Sequence, residues 1–129
     1  MTSPRIPISW GEMFDKITIL EIKLTKLKTK AALANVDNEF KQLNKIYCKQ
    51  FETNVEASEL KGELKEINQR LWDIEDQIRD KERAKSFDDE FIQLARSVYV
   101  TNDERSRIKR RINEALGSDL VEEKSYVDY

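Results

Sequence analysis

The sequence contains no histidine, one cysteine (Cys48), two prolines and three glycines among its 129 residues. Without histidine, it cannot form a Ser-His-Asp or Cys-His catalytic pair or an imidazole ligand for zinc. The carboxylate-bridged metal sites of helical bundles also require histidine, in Glu-x-x-His motifs. A single cysteine excludes an intramolecular disulfide. We therefore expect no cofactor, and only an all-oxygen metal site is left open.

A long apolar run is also missing. No stretch approaches the ~20 apolar residues of a membrane-spanning helix, and no basic start followed by an apolar segment indicates a secretory signal. These absences predict a cytoplasmic protein that does not insert into membranes. The net charge of -2, from 23 basic and 25 acidic residues, gives no overall attraction for nucleic acid.

What the chain has instead is helical periodicity. Between residues 57 and 82, apolar residues alternate at spacings of three and four, which places them in one stripe along a helix. The stripe consists of Ala57, Leu60, Leu64, Ile67, Leu71, Ile74 and Ile78. We expect Leu64, Ile67, Leu71 and Ile74 to be buried in mid-bundle. The first helix is apolar on two sides, because Ile19 and Ile22 lie off its main face, and this predicts that it lies between other helices. The apolar stripe of the last helix includes Val98.

The fold predicted from these patterns is an all-α bundle of about four helices with short connections. The expected helices are 9–28, 30–52, 54–85 and 87–116, within a single domain that spans residues 1–129. Residues 1–8 form an extended lead-in, and 118–129 form an acidic tail. The last two helices should form a central antiparallel hairpin.

Polar residues at four positions predict where these helices begin. Ser9 and Thr53 each precede a glutamate by three residues, as in a capping box. Thr29 is a possible N-cap where the apolar pattern changes phase, although one long bent helix through residues 29–36 is an alternative. The segment 86–89 should open the last helix.

A polar line beside the long stripe marks the candidate site. Asn68, Trp72, Glu75 and Arg79 follow this line, and Arg105 interrupts the apolar face of the last helix. A hairpin that turns near residue 86 brings the two polar regions level. They form either structural pairs that set the helix register or a site for a ligand or partner. We expect Arg105 to reach Glu75, Asp15 or Glu21.

Clusters of charge elsewhere have simpler interpretations. Glu12, Asp15, Lys16 and Lys23 on the first helix either face the same site or form a solvated surface. The basic residues of segment 105–111 suggest phosphate or nucleic-acid binding, but cations are favoured near a helix C-terminus and an acidic tail follows. Nucleic-acid binding is therefore not favoured.

Four strings of residues resemble an uncharacterised family of small bacterial and phage proteins. The strings are ISWGEMFDKITILEIKL, LWDIEDQIRDKE, FIQLARSVYVTNDERSRIKRRIN and GSDLVEEKSY. Some members are attached to, or found near, glycosyltransferase and tetratricopeptide proteins of surface-polysaccharide synthesis. The resemblance implies a protein partner in glycan biosynthesis but no particular chemistry. It also implies that the family's characteristic strings include Asp15, Lys16, Glu21, Lys23, Asn68, Trp72, Glu75, Asp76, Arg96, Tyr99, Asn102, Arg105 and Lys109.

The interpretation favoured at this level is a non-enzymatic helical adaptor that forms a homodimer through helix faces. Trp10, Tyr47 and Phe51 lie near helix ends where a dimer contact is expected. One alternative is a protein that binds a small anion or a sugar phosphate. A helical enzyme similar to chorismate mutases is another, and its cations would be Lys16, Arg79, Arg96, Arg105 and Lys109. A nucleic-acid binder is the third.

Overall fold

The computed structural model describes residues 2–129. Over this range the chain forms four α-helices: α1 (Trp10–Lys26), α2 (Lys30–Phe51), α3 (Val55–Arg83) and α4 (Asp89–Ala115). The all-α prediction and the number of helices are confirmed, and each helix end lies within a few residues of its predicted position. Residues 2–9 and the residues after 117 are not helical.

The first two helices begin at the predicted caps. The amide of Glu12 donates to Ser9 Oγ at 3.1 Å, and the amide of Ala32 donates to Thr29 Oγ1 at 3.3 Å. Each cap satisfies one of the amides that the first turn of a helix leaves without a partner. Because Thr29 caps a new helix, the change of phase near residue 29 is a break and not a bend.

The caps of the last two helices differ from the prediction. Asn54, and not Thr53, accepts from the amide of Ala57, at 3.0 Å. Asp88 caps α4 by accepting from the amide of Phe91 at 2.9 Å, so Phe87 lies outside the helix. The Phe91 amide, and then the Lys81 ammonium, hold the pKa of Asp88 at about 2, below its usual 3.8. Asn and Asp are among the strongest N-cap residues, which explains the preference over the adjacent residue.

α1 is the helix that contacts each of the other three, as its two apolar sides predict. Phe14 and Trp10 pack edge-to-face on Phe51 of α2, with ring centroids 5.6 and 4.9 Å apart. Tyr47 and Phe51 are each only 8% exposed. The expectation that these two side chains lie at uncovered ends is therefore wrong, because the pairing of α1 with α2 encloses them.

The α3–α4 hairpin is antiparallel, as predicted. Arg70 faces Glu104 across it at 3.2 Å, and Arg111 faces Glu63 at 3.3 Å. A hairpin that turns near residue 86 places residue 70 level with about residue 102, and the observed pairing lies two residues further along α4. This small shift keeps the polar regions of α3 and α4 adjacent.

α1 crosses this hairpin and does not run along it. The amide of Gly11, in its first turn, donates to Asn113 Oδ1 of α4 at 2.7 Å. Further along α1, Glu21 Oε2 accepts from Lys65 of α3 at 2.8 Å. This crossing covers only the half of the hairpin that is farther from its turn, which we call the inner half. The buried residues of α3 end at Asn68, and those of α4 begin at Thr101.

The outer half of the hairpin is covered much less. Within the described chain, no residue from 69 to 100 is buried. Leu64 and Ile67 are buried as predicted, but Leu71 and Ile74 are partly exposed. The prediction is wrong for those two residues because α1 does not extend over their part of α3. The end of this cover is where the candidate site lies.

Candidate functional site

A buried carboxylate lies at the point where α1 crosses the hairpin. Asp15 is 6% exposed, and its Oδ1 accepts from Asn68 Nδ2 of α3 at 2.9 Å. The same amide group donates to Thr18 Oγ1 at 3.0 Å. Asp15 Oδ2 lies 3.9 Å from Arg105 Nη1 and 4.0 Å from Lys109 Nζ, both of α4. The prediction that Arg105 reaches a carboxylate holds for Asp15.

Lys109 joins this buried layer to the C-terminal tail. Its ammonium, with the side chain 9% exposed, donates to Glu12 and to Glu122 at 3.0 Å each. Burial lowers the pKa of Lys109, but the hydrogen bonds to Glu12 and Glu122 outweigh this effect, so that the pKa is raised. Lys109 therefore holds α1, α4 and the tail together. Its positive charge is already balanced by the carboxylates of Glu12 and Glu122.

An open cleft of about 440 Å³ lies beside this layer, at the point beyond which α1 no longer covers the hairpin. Its walls combine apolar side chains, amides and charges from three helices. They are Ile19 of α1; Asn68, Leu71, Trp72, Glu75, Asp76 and Arg79 of α3; and Val98, Asn102 and Arg105 of α4. The volume lies within the ~300–1,000 Å³ of small-molecule sites.

The two arginines of the cleft are loosely paired. Arg79 Nη2 lies 3.6 Å from Glu75 Oε2, and Arg105 Nη1 lies 3.9 Å from Asp15 Oδ2. Both distances exceed the ~2.7–2.9 Å of a charge-assisted hydrogen bond. Arg105 Nε is buried and has no hydrogen-bond partner among the described residues. Nε is thus enclosed, whereas the Arg105 side chain as a whole is 27% exposed.

Residues 4–128 match a protein family of unknown function. The chain belongs to this family, DUF6165. The resemblance drawn from the sequence is thus confirmed at the level of an uncharacterised family that covers nearly the whole chain. No curated protein and no solved structure matches the chain. Membership in DUF6165 names no reaction, ligand or partner.

The structure brings together half of the residues predicted for the site. The seven that line the cleft are Asn68, Trp72, Glu75, Asp76, Arg79, Asn102 and Arg105. Asp15 lies directly behind them, through its contact with Arg105. Their sharing of one cleft follows from the hairpin register, and their function stays a prediction.

The remaining predicted residues lie elsewhere. Glu21 pairs with Lys61 and Lys65 of α3, outside the cleft, and Lys109 is held by carboxylates. Tyr99 packs edge-to-face on Tyr129 of the tail, with ring centroids 5.2 Å apart. The other three are not among the cleft residues: Lys16, Lys23 and Arg96. Lys16 and Arg96 are exposed and Lys23 is partly exposed. The spacing of residues along each helix could not show which of these side chains the crossing of α1 leaves outside the cleft.

Sequence reasoning missed the apolar walls of the cleft. Leu71 and Val98 were assigned to the buried seam of the hairpin, and Ile19 to the second apolar side of the first helix. The assignment of Ile19 contained the useful signal, because an apolar side chain off the main face must contact a further surface. Gly11 and Asn113, which bring α1 against α4, were also missed.

Carboxylates interrupt the basic segment of α4. Arg110 pairs with Glu114 and Glu123 at 3.3 and 3.2 Å, and Arg111 pairs with Glu63 at 3.3 Å. A nucleic-acid surface requires cations that are free to neutralise phosphates. This segment does not provide a continuous basic surface.

Neither a metal-ion cluster nor a membrane-spanning helix is present in the described residues. Across residues 2–129, no three or more Cys, Asp or Glu side chains are grouped so as to hold a metal ion. The same part of the chain contains no helix with the length and apolar character needed to cross a membrane.

Proposed function

We propose that the protein is a non-enzymatic accessory domain that acts by binding and that associates with a second copy of itself through the tip of the α3–α4 hairpin. The tip surface consists of Phe87, Phe91 and Ile92. Phe87 is 56% exposed and Ile92 is 49% exposed, and Phe87 packs edge-to-face on Phe91 at 5.2 Å. These exposed apolar side chains at the end of a projecting hairpin are the observation that carries the proposal.

Self-association is favoured here because the two exposed tip residues, Phe87 and Ile92, lose apolar surface when a second copy covers them. Full burial of a Phe or Ile side chain is worth ~1.5–3 kcal/mol relative to exposure. An antiparallel arrangement of two hairpins places the same surface of each copy in contact, as two-fold symmetry requires. We therefore propose a second copy of the chain as the partner.

The geometry supports binding in preference to catalysis. A helical enzyme of the chorismate-mutase type needs several cations that converge on an enclosed substrate. In this protein the cleft is open, its two arginines each face a carboxylate, and Lys109 is held by Glu12 and Glu122. The role in surface-polysaccharide or phage host-modification pathways, and a protein partner within them, rest on the family resemblance alone.

The test measures mass in solution. Sedimentation of the wild-type chain at tens of micromolar is expected to show a dimer of the 15.2 kDa protomer. The double substitution Phe87→Ser and Ile92→Ser is expected to shift the protein to the monomer without loss of helicity, because both side chains already face solvent. Val55→Ser is the matched control, since Val55 is 70% exposed at the opposite end of α3.

Two results contradict the proposal. One is a wild-type monomer at tens of micromolar. The other is a dimer that persists in the tip variant as fully as in the Val55 control.

A further inference from the structure

We propose that the cleft between α1, α3 and α4 binds a single sugar ring, with one oxygen of the sugar accepting a hydrogen bond from the terminal nitrogens of Arg105. This site lies on the hairpin near the crossing of α1, away from the tip surface. The inference is therefore independent of self-association. It concerns a ligand class that follows from the chemistry of the cleft walls.

An aromatic side chain in the cleft wall favours a sugar ring as the ligand. Trp72 is partly exposed and lines the cleft together with Ile19, Leu71 and Val98. An indole supplies a flat apolar face and one N–H donor at its edge. A sugar ring has a matching form, since its C–H groups make an apolar face and its hydroxyls lie around the edge.

The second argument is the balance of charge. Glu75 and Asp76 line the cleft along with Arg79 and Arg105, so two acids oppose two cations. A bare anion would meet the carboxylates, and a bare cation would meet the guanidinium groups. A hydroxyl both donates and accepts hydrogen bonds, so a polyhydroxylated ring uses the acids and the arginines together.

The third argument is the unused donor. Arg105 Nε is buried without a hydrogen-bond partner in the described chain, while Nη1 of the same group is 3.9 Å from Asp15. A charge-assisted hydrogen bond is usually ~2.7–2.9 Å long, so this pairing leaves the terminal nitrogens free to form a closer bond. Nε itself is enclosed, but the side chain is 27% exposed, so a sugar hydroxyl, carboxylate or phosphate oxygen in the cleft can accept from these nitrogens.

The experiment follows the indole N–H signals of the full-length protein by NMR during titration with sugars. The chain has two tryptophans, and the substitution Trp72→Phe assigns the two signals. The probes are glucose, galactose, glucuronate and glucose 1-phosphate, with inorganic phosphate as the comparison, each up to about 10 mM. We expect a saturable shift of the Trp72 signal with at least one sugar and none with inorganic phosphate.

The sugars also identify which acceptor meets Arg105. Stronger binding of glucuronate or glucose 1-phosphate than of glucose assigns an anionic oxygen to that position. Equal binding of glucose assigns a hydroxyl. Either result supports the sugar site.

A matched pair of variants locates the site. Arg105→Gln is expected to weaken sugar binding at least ~10-fold, because it removes a donor from a charged group. Arg111→Gln changes the same residue type on the same helix, but Arg111 pairs with Glu63 and is not among the cleft residues, so binding should be unchanged. If Arg105→Gln proves unfolded, Asn102→Ala serves in its place, since Asn102 lines the cleft and is partly exposed.

Three results overturn the proposal. The first is no saturable shift with any of the four sugars. The second is a shift of the Trp72 signal with inorganic phosphate that is as large as the shift with any sugar, which identifies a site for simple anions. The third is equal sugar affinity in the cleft variant and in Arg111→Gln.

Discussion

Gly11 offers a sharp test of how α1 is fitted against α4. A Cβ atom added at Gly11 would lie 2.6 Å from the backbone oxygen of Lys109 and 3.0 Å from Asn113 Oδ1. Ordinary van der Waals contacts begin at 3.4 Å, so the substitution Gly11→Ala requires α1 to move away from α4 by several tenths of an ångström. The oxygen of Lys109 is backbone inside a helix and cannot rotate aside.

The expected loss has two parts. Overpacking at a close contact typically costs ~1–3 kcal/mol. The movement also stretches the 2.7 Å hydrogen bond from the Gly11 amide to Asn113 Oδ1, a buried bond worth roughly 0.5–1.5 kcal/mol. The gain in helix propensity from Gly to Ala offsets up to ~1 kcal/mol. We therefore expect Gly11→Ala to lower the free energy of unfolding by about 1–3 kcal/mol.

Gly62 is the matched control. It also lies inside a helix, but no atom of the described chain, outside the neighbouring helix backbone, comes within 4 Å of a Cβ added there. Gly62→Ala should therefore raise stability by ~0.5–1 kcal/mol through helix propensity. Urea unfolding followed by circular dichroism measures both variants. If Gly11→Ala is as stable as Gly62→Ala, the close approach of α1 to α4 is wrong.

Two further predictions concern the hairpin. Leu64→Ala should cost ~2–5 kcal/mol and Leu71→Ala less than half as much, because Leu64 is fully buried and Leu71 is partly exposed; equal losses in urea melts would show that α1 covers both positions. The folded-state pKa of Asp88, about 2, lies below its usual 3.8, so its stabilising contribution is present above pH 4 and is lost as the pH falls toward 2. An NMR titration of the Asp88 carboxyl measures this pKa. A midpoint near 4 would show that the Phe91 amide and Lys81 do not stabilise the ionised carboxylate.

Local features of the fold were predictable because their causes lie within a few residues of each other. The change of apolar phase near Thr29 predicted either a break or a bend, and the hydroxyl of Thr29 caps a new helix there. The two apolar sides of the first helix predicted its central place. Where two adjacent residues were both suitable caps, the pattern chose wrongly, as with Thr53 and Asn54.

The candidate site was predictable to the extent that it depends on the hairpin. Polar residues at helical spacing on α3 and an arginine on the apolar face of α4 must meet once the two helices are antiparallel. Asp15 was one of three carboxylates expected to pair with Arg105, and it is the one that lies within 3.9 Å. The same reasoning did not reach Ile19, because the position of α1 relative to the hairpin is not a matter of spacing.

The sequence alone determined that the chain forms helices, where the first two of them begin and which faces are apolar, since propensity, capping and periodicity act over one or two turns. Only the tertiary structure decided how far each apolar face is covered. The stripe of α3 has the same period at Leu64 and at Leu71, yet only Leu64 is fully buried. The difference arises because α1 crosses the hairpin and ends its cover there, and a periodic pattern records that a face packs but not how far along the helix the neighbouring helix extends.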